Sequence, residues 1–401
     1  MIIAHISTGK IELRCNQVFP EDIFIKSDET ILIDLVNIFL ELYVSDIANK
    51  RSGSNPRNIQ VSAYVDRKNL NVWEENKKLI EKLAEFVTEG DGDKWSISFI
   101  GVEYEFCGQQ MIIPSLEIDN VALLSGGLDS FCGAYNNEKN SRKTVYCGYK
   151  TSIVDVSAIN SVSSFLKGRK GNLGIQTYSK VKQKKIELTQ RTRSLLFFSL
   201  AVVTAIRENT KEIDVNENGI MTLNPSFQSR GTTKTTHPKT IYLYQNILKN
   251  VGIDVHINHP FLFMTKGEMV NDLNADFKEH IKDTRSCSRA MNDRRYDVSA
   301  KKSCGACVPC LLRKISMAAY DLELMDNEYT VPYAGDMNDE EYRSAFNYYR
   351  TFYNYIVSDQ IFPEILIRKR FYSTDDYLKR TSDMLEKFSK ELEIFFKKYG
   401  R

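Results

Sequence analysis

The sequence lacks the features that would assign it to a membrane, to secretion or to a nucleic-acid-coating surface. Residues 1–6 have no charged start and no cleavable apolar run, so we see no signal peptide. The most apolar run, residues 195–206, contains Ser199 and Thr204 and is far too short to span a bilayer. The formal net charge is only +2, which gives no support to a nucleic-acid partner. We therefore expect a cytoplasmic protein with no membrane partner, in which unpaired cysteines stay reduced.

The chain has 401 residues, of which 42% are hydrophobic, and this suggests two domains or one domain with large additions. Residues 1–118 are predicted to form an N-terminal α+β domain that recognises a partner or shapes the site. Its expected elements are a hairpin within residues 1–15, helices over 31–47 and 72–89, and strands over 59–65 and 95–104. Residues 119–325 hold the motifs that indicate chemistry, and residues 326–401 are predicted to be a helical, aromatic-rich extension.

A six-residue turn follows the strand-like residues 120–124 and precedes a predicted helix. It consists of Ser125, Gly126, Gly127, Leu128, Asp129 and Ser130. The two glycines allow a sharp turn close to a ligand, and the amides of the turn and of the helix N-terminus can bind an anion. Residues 121–135 contain no lysine, so a Walker A grip on a γ-phosphate is not indicated. The alternative is an ordinary strand–turn–helix without a ligand.

This turn resembles the Ser-Gly-Gly-x-Asp-Ser loop of the PP-loop ATP pyrophosphatases. In that family the loop holds the pyrophosphate that is released when an acceptor is adenylated. The resemblance implies an α/β fold with a Rossmann-like parallel sheet, of the adenine nucleotide alpha hydrolase-like kind, with ATP bound by residues 125–130. It also implies Mg²⁺ between phosphate oxygens and catalytic roles for Asp129 and Ser130. Asp129 would hold the metal or simply cap its helix.

Four of the eight cysteines fall within 24 residues, whereas the other four are scattered. They are Cys287, Cys304, Cys307 and Cys310. Thiolates at this spacing in a reducing compartment typically form a tetrahedral zinc site with bonds of ~2.3 Å. Because the protein would fill all four positions, the predicted zinc is structural. An iron–sulfur cluster is the alternative, since Cys-x-x-Cys-x-x-Cys also suits one.

The loop and the cysteines together resemble the 7-cyano-7-deazaguanine synthases, over roughly residues 119–325. That family has a similar Arg-bearing segment before an apolar helix and a similar Thr-Lys-x-Glu element. By resemblance, Arg193 and Lys266 are catalytic residues that contact phosphate, and Arg193 also binds ATP. Both are basic residues near the start of a predicted helix, where they oppose the helix dipole. A surface ion pair is the alternative for Arg193, while Thr265 and Glu268 fit a capping box.

Polar residues around and beyond a predicted strand over 220–223 are expected to bind the substrate, because ligands bind at the carboxyl ends of strands in an open α/β sheet. These residues are Glu217, Asn224, Arg230, Thr236 and His237. The carboxylate of Glu217 suits the N1–H and exocyclic amine of a guanine edge, or it belongs to a turn residue. His237 is alternatively only the cap of a helix that begins at Pro238.

Residues 156–186 contain seven basic side chains and no acidic one. Such a composition is typical of a solvated loop, and we expect a loop here. The alternative is a basic lid near ATP phosphates or an acidic partner.

The resemblance implies that the chain adenylates the carboxylate of 7-carboxy-7-deazaguanine and releases pyrophosphate, after which ammonia gives an amide and a second ATP a nitrile. The two terminal regions have no place in the compact biosynthetic enzyme, and residues 216–238 resemble longer versions linked with bacterial antiviral defence. An amine of a co-encoded defence protein is therefore an alternative acceptor. A tRNA-modifying PP-loop enzyme and a non-catalytic nucleotide sensor are further alternatives, and a homodimer is left open.

Overall fold

The computed structural model of the chain describes residues 12–15, 30–51, 55–88, 92–103, 117–150, 153–181, 187, 190–225, 234–289, 295–299, 302–358, 371 and 375–400. The strands are β1 (Glu12–Cys15), β2 (Asn58–Asp66), β3 (Lys94–Val102), β4 (Asn120–Leu123), β5 (Thr144–Lys150), β6 (Asn172–Val181), β7 (Glu212–Asp214), β8 (His256–Asn258), β9 (Lys302–Ser303) and β10 (Glu328–Tyr329). The helices are α1 (Thr30–Ala48), α2 (Leu70–Val87), α3 (Leu128–Lys139), α4 (Ile153–Leu166), α5 (Arg193–Arg207), α6 (Gly219–Leu223), α7 (Pro238–Asn250), α8 (Lys266–Asp272), α9 (Ala275–Glu279), α10 (Val308–Ala318), α11 (Glu340–Val357) and α12 (Tyr377–Tyr399).

The central sheet has the strand order β1-β6-β5-β4-β7-β8. Its five strands from β6 to β8 are parallel, and β1 adds to the β6 edge in the antiparallel direction. The chain moves outward from β4 through β5 to β6 and then crosses to β7 on the other side of β4. This reversal between β4 and β7 leaves a crevice at their carboxyl ends, where ligands bind in such sheets. The predicted α/β fold with a parallel sheet is confirmed.

The two faces of the sheet carry different helices, as the two-residue period of strand side chains requires. Val121 and Leu123 of β4 point into a core shared with α1, α5 and α7, which the β2–α2–β3 unit extends. Ala122 and Leu124 point into the opposite core, with α3, α4 and α8. The domain boundary at residue 118 stays a prediction, and α1 packs directly on the sheet domain across it.

Two sequence-based expectations are wrong, and a third is only partly covered. Residues 156–181 are not a loop, because α4 and β6 occupy most of this range, and residues 182–186 lie outside the described residues. The buried Ile159, Val162 and Leu166 recur at helical spacing, whereas the expectation of a loop rested on basic residues that all follow α4. The predicted strand over 220–223 is α6, because the Asn218 side chain accepts a hydrogen bond from Met221 N (3.0 Å) and caps a helix. Residues 1–11 of the predicted hairpin lie outside the described residues.

The C-terminal helices α11 and α12 pack on α10, which confirms the predicted helical tail. Tyr349, Phe352, Phe388 and Phe395 are buried between them, in the same core as three of the four clustered cysteines. The tail is therefore a packed part of the molecule. Among the described helices, none combines the length and the apolar composition that crossing a membrane requires.

Candidate functional site

The Ser125–Ser130 loop joins β4 to α3 at the switch point of the sheet. Gly126 has φ +75°, and a Cβ built there would stand 2.6 Å from the backbone of α4, so glycine is required. The hydroxyls of Ser125 and Ser130 are 3.2 Å apart, and Ser130 Oγ donates to Gly127 O (2.9 Å). Gly127 is the extended N-cap of α3. The first amides of α3 therefore begin at a fixed, tightly folded turn, as an anion site requires.

Asp129, in the first turn of α3, faces residues from two other elements. Lys266 Nζ lies 2.8 Å from Asp129 Oδ1, and both side chains are almost fully buried. Asn218 Nδ2 donates to Asp129 Oδ2 (2.9 Å) and lies 3.2 Å from Glu217 Oε1. The loop after β4, the start of α6 and the start of α8 thus converge on one carboxylate.

The pKa values of the two carboxyl groups at this site are shifted in opposite directions. Burial and the neighbouring charge of Asp129 raise the pKa of Glu217 well above its usual range. Burial acts on Asp129 in the same direction, but the Lys266 ammonium and the surrounding hydrogen bonds hold its pKa below the ordinary value. These opposite shifts favour protonation of Glu217 and ionisation of Asp129.

Thr265 begins α8 with the predicted capping box. Its hydroxyl accepts from Glu268 N (3.0 Å), and the Glu268 carboxylate accepts from Thr265 N (2.9 Å). Lys266 in the first turn opposes the helix dipole, and its ion pair with Asp129 offsets this cost. The predicted residues Asp129 and Lys266 are thus brought together.

Arg193 lies at the start of α5 and is exposed. Arg193 lies close enough to Tyr149, at the end of β5, to affect its pKa. Burial raises the pKa of Tyr149, and the positive charge of Arg193 acts against this rise. The end of β5 is at the same edge of the sheet as the loop. Just before Arg193, Asp46 of α1 accepts hydrogen bonds from Thr192 N (3.1 Å) and Thr192 Oγ1 (3.0 Å).

The predicted substrate residues are distributed along the segment after α6. Asn224 ends α6 in the left-handed region (φ 35°), and its carbonyl accepts from Lys234 Nζ (3.3 Å). Thr236 Oγ1 lies 3.4 Å from Thr222 Oγ1. Arg230 lies outside the described residues.

His237 caps α7, as one of the two sequence readings expected. Its Nδ1 accepts from Lys239 N (3.1 Å), and its ring packs edge-on against Phe86 with centroids 5.2 Å apart. Burial, with the charges of Lys234 and Lys239, lowers the pKa of His237 to about 3. The cap accounts for this residue, and a ligand contact by His237 stays a prediction.

Sequence reasoning missed Asn218 and His259. His259 follows β8, and its Nε2 lies 2.8 Å from Thr222 Oγ1. Burial lowers the pKa of His259 to about 4, although the charge of Asp129 raises it, so the ring is neutral and within electrostatic reach of the loop. Two features of the sequence could have revealed them. His259 directly follows a short strand, where ligands bind in such sheets, and Asn218 stands three residues before Met221, the spacing of a helix N-cap.

The four clustered cysteines are free thiols whose sulfurs all lie within 4.8 Å of one another. Cys304 Sγ and Cys310 Sγ are 3.8 Å apart, about the edge of a tetrahedron with Zn–S bonds of ~2.3 Å. Cys304 Sγ also faces the amides of Ala306 and Cys307, both at 3.4 Å, in a turn that Gly305 forms with φ +74°. The donor set fits one tetrahedral zinc ion better than a cluster of several irons, which needs more room.

The segment leading to Cys287 lies against the Ser125–Ser130 loop. Arg285 N donates to Gly126 O (3.0 Å), and a Cβ added at Gly127 would stand 3.3 Å from Arg285 O. On the other side of the cluster, the buried Lys314 ammonium donates to three carbonyls, those of Gly305, Val331 and Pro332. The cysteine element and the loop are therefore in direct contact.

Residues 136–321 match the family model of queuosine biosynthesis protein QueC. The matched part begins just after the Ser125–Ser130 loop and includes Glu217, Lys266 and the four cysteines. No curated protein matches the chain. The likeness of this region to the family supports a ligase-type ATP pyrophosphatase, which activates a carboxylate with ATP for C–N bond formation. Residues 136–321 are therefore similar to the QueC family of PP-loop enzymes, and we refer to them as the QueC-like region.

Proposed function

We propose that this protein adenylates the carboxylate of a 7-deazaguanine, 7-carboxy-7-deazaguanine, with ATP and releases pyrophosphate. A carboxylate is a poor electrophile, and its attack on the α-phosphorus of ATP makes an acyl-adenylate with AMP as a good leaving group. Ammonia then displaces AMP to give an amide, and a second ATP takes the amide to a nitrile. The convergence of Asp129, Lys266 and Glu217 on the loop at the switch point supports this proposal most directly.

The residues at the loop suit the charge that develops in such a reaction. The α3 amides and the Lys266 ammonium are positioned to stabilise negative charge on the departing pyrophosphate. Because Lys266 is buried, water screens its attraction to that charge only weakly. Arg193, on the same edge of the sheet, is proposed as a further phosphate contact. On ATP binding we expect Lys266 to share its charge between Asp129 and phosphate.

Asp129 and Glu217 provide the hard oxygen donors that Mg²⁺ prefers, and they are the residues that would hold it. The ion supplies neutralisation of phosphate charge when bound. Burial and the charge of Asp129 raise the pKa of Glu217, and a bound cation would oppose this rise and favour loss of its proton. Zinc at the four cysteines has no open position and is proposed to act only by holding the Arg285–Cys287 segment against the loop.

A protein amine is the second candidate acceptor in place of ammonia. The matched domain covers residues 136–321, so α1, α2, α11 and α12 are additional structure that a compact small-molecule enzyme does not need. The resemblance to longer, defence-linked versions suggests a co-encoded protein as the partner. Both candidates share the adenylation step and differ only in the nucleophile.

One incubation tests the activation step and separates the acceptors. The protein is mixed with Mg²⁺, ATP and 7-carboxy-7-deazaguanine, with ammonium, with a co-encoded protein or with neither. Pyrophosphate, AMP and the masses of the products and of the added protein are measured. With ammonium we expect AMP and pyrophosphate in equal amounts together with the amide or nitrile mass. Without a nucleophile we expect pyrophosphate, with AMP retained in the acyl-adenylate until water hydrolyses it. Release of ADP and phosphate, or no turnover, would contradict the proposal. A deazaguanine mass added to a co-encoded protein would select the second acceptor.

A further inference from the structure

Helix α12 lies outside the QueC-like region, yet it places one buried carboxyl group on the turn that carries Lys266. Glu391 is 3% exposed, and its Oε1 accepts a hydrogen bond from Thr265 Oγ1. A Cβ built on Gly267 would stand 2.3 Å from Glu391 Oε1, so the carboxyl group covers the space that a side chain would fill. Thr265 and Gly267 flank Lys266, and Glu391 therefore contacts both of its neighbours.

The hydroxyl of Thr265 is held by two partners at once. It accepts from Glu268 N within the capping box, and it donates its own proton to Glu391. A hydroxyl has one proton to donate, so these two bonds fix its orientation and join the start of α8 to α12. The capping box alone would have set the helix start and left its position relative to α3 unspecified.

The position of this helix start decides where the Lys266 ammonium stands. Lys266 Nζ is 2.8 Å from Asp129 Oδ1, in a place where both side chains are almost fully buried. Small shifts of a buried charge are costly because there is little water to compensate them. A shift of the Thr265–Gly267 turn would thus change the distance between the Lys266 ammonium and the Asp129 carboxylate.

Glu391 differs from a surface ion pair that also joins the two helices. Lys387 of α12 pairs with Glu268 at 2.5 Å, but the lysine side chain is half exposed. Glu391 Oε2 is buried and has no hydrogen-bond partner among the described residues. A buried polar atom without a partner is costly, so a stability role alone explains this glutamate poorly.

We propose that Glu391 is a positioning residue for Lys266, holding the Thr265–Gly267 turn so that the lysine ammonium stands at Asp129 in the nucleotide site. The inference rests on the proposed function, because it assigns that site to ATP. It makes α12 part of the nucleotide site without contact between Glu391 and the nucleotide.

The test is a double-mutant cycle on the affinity for Mg²⁺-ATP, measured by calorimetry without any acceptor. We expect Glu391→Ala and Lys266→Ala each to weaken binding about tenfold, and the double variant to bind no more weakly than Lys266→Ala alone. Glu391→Gln retains an acceptor for Thr265 Oγ1 and should stay within about twofold of the unmodified chain.

A matched control separates positioning from stability. Leu392→Ala removes a fully buried side chain from the next position of α12, so it lowers the melting temperature at least as much as Glu391→Ala. Its affinity for Mg²⁺-ATP should stay unchanged below the melting transition. Additive losses in the cycle, or equal losses for Leu392→Ala and Glu391→Ala, would overturn the proposal. If the unmodified chain binds no ATP, the proposed function itself fails, which is a different outcome.

Discussion

Two buried carboxyl groups, one from each side of the QueC-like region, hold the starts of two of its helices in different ways. Asp46 of α1 accepts from the hydroxyl and amide of Thr192 before α5, and Glu391 of α12 accepts from the hydroxyl of Thr265 before α8. Asp46 is paired with the Arg57 guanidinium at 2.6 Å. Burial raises the pKa of Glu391 to about 8, with a smaller rise from the charge of Glu268.

The difference shows that a segment outside the QueC-like region can hold the start of a helix either with an ionised carboxylate or with a neutral carboxyl group. Arg57 is itself held by Asp93, at 2.6 Å, and the pair raises the pKa of Arg57 and lowers that of Asp93, although burial acts in the opposite direction on both. The N-terminal contact is thus an ionic network whose members depend on one another. The C-terminal contact is a neutral hydrogen bond at neutral pH, so each should respond differently to mutation and pH.

The largest expected effect is at Asp46. Asp46→Ala leaves the buried guanidinium of Arg57 with one carboxylate fewer and removes the acceptor of Thr192, so we expect a loss of about 3–5 kcal/mol of unfolding free energy. Urea denaturation measures it. Asp46→Asn, which keeps an acceptor but not the charge, should lose less than Asp46→Ala. A loss under ~1 kcal/mol for Asp46→Ala would show that the network does not depend on this carboxylate.

The second prediction concerns the pH dependence of stability at Glu391. Its pKa is raised from 4.5 to about 8 on folding, so the folded chain binds more protons than the unfolded chain between these values. Stability from this group is therefore full below pH 4.5 and is lost as pH rises toward 8. Glu391→Gln removes the titration, and its stability relative to the unmodified chain should grow by up to about 3 kcal/mol between pH 4.5 and 7. Glu393→Gln, an exposed position on the same helix, serves as the control, and parallel pH curves for all three chains would contradict the assignment.

The third prediction uses Gly267, where the Glu391 carboxyl group approaches most closely. A Cβ there would stand 2.3 Å from Glu391 Oε1 and 2.7 Å from the Tyr320 ring, so Gly267→Ala must displace one of them. We expect a loss of about 1–3 kcal/mol despite the better helix propensity of alanine. Gly252→Ala has open space but φ +80°, so it tests backbone strain without a clash. A stabilised Gly267→Ala variant would mean that α12 does not pack closely against this turn.

The comparison also shows which parts of the site a sequence reveals. The Ser125–Ser130 loop, the Thr265–Glu268 capping box and the cysteine spacing are local patterns, and the structure contains each of them. Asp46 and Thr192 are 146 positions apart in the sequence, and Glu391 and Thr265 are 126 apart. No local pattern predicts these contacts. Only the folded chain brings such pairs together.

The errors in reading the sequence have a similar cause. Helix α6 was expected to be a strand because Ile220 and its neighbours favour β structure, yet the Asn218 cap decided the conformation. The role of Glu217 also depends on its surroundings, since burial and the charge of Asp129, which lies on another element, raise its pKa. Propensity describes each segment alone, whereas the site is made where three segments meet.

The smallest expected effect is at Lys387, which tests whether the surface ion pair or the buried Glu391 joins α12 to α8. The Lys387–Glu268 pair joins the same two helices as Glu391, but the lysine side chain is 54% exposed, so solvent screens the attraction. Lys387→Ala should change the unfolding free energy by less than ~0.5 kcal/mol and leave the affinity for Mg²⁺-ATP unchanged. A larger loss that disappears in 1 M salt, where screening acts within about 3 Å, would assign the link between α12 and α8 to this surface pair. No loss at Lys387, together with a loss at Glu391→Ala, would assign it to the buried neutral hydrogen bond, the feature that separates this end of the chain from the ionic network at Asp46.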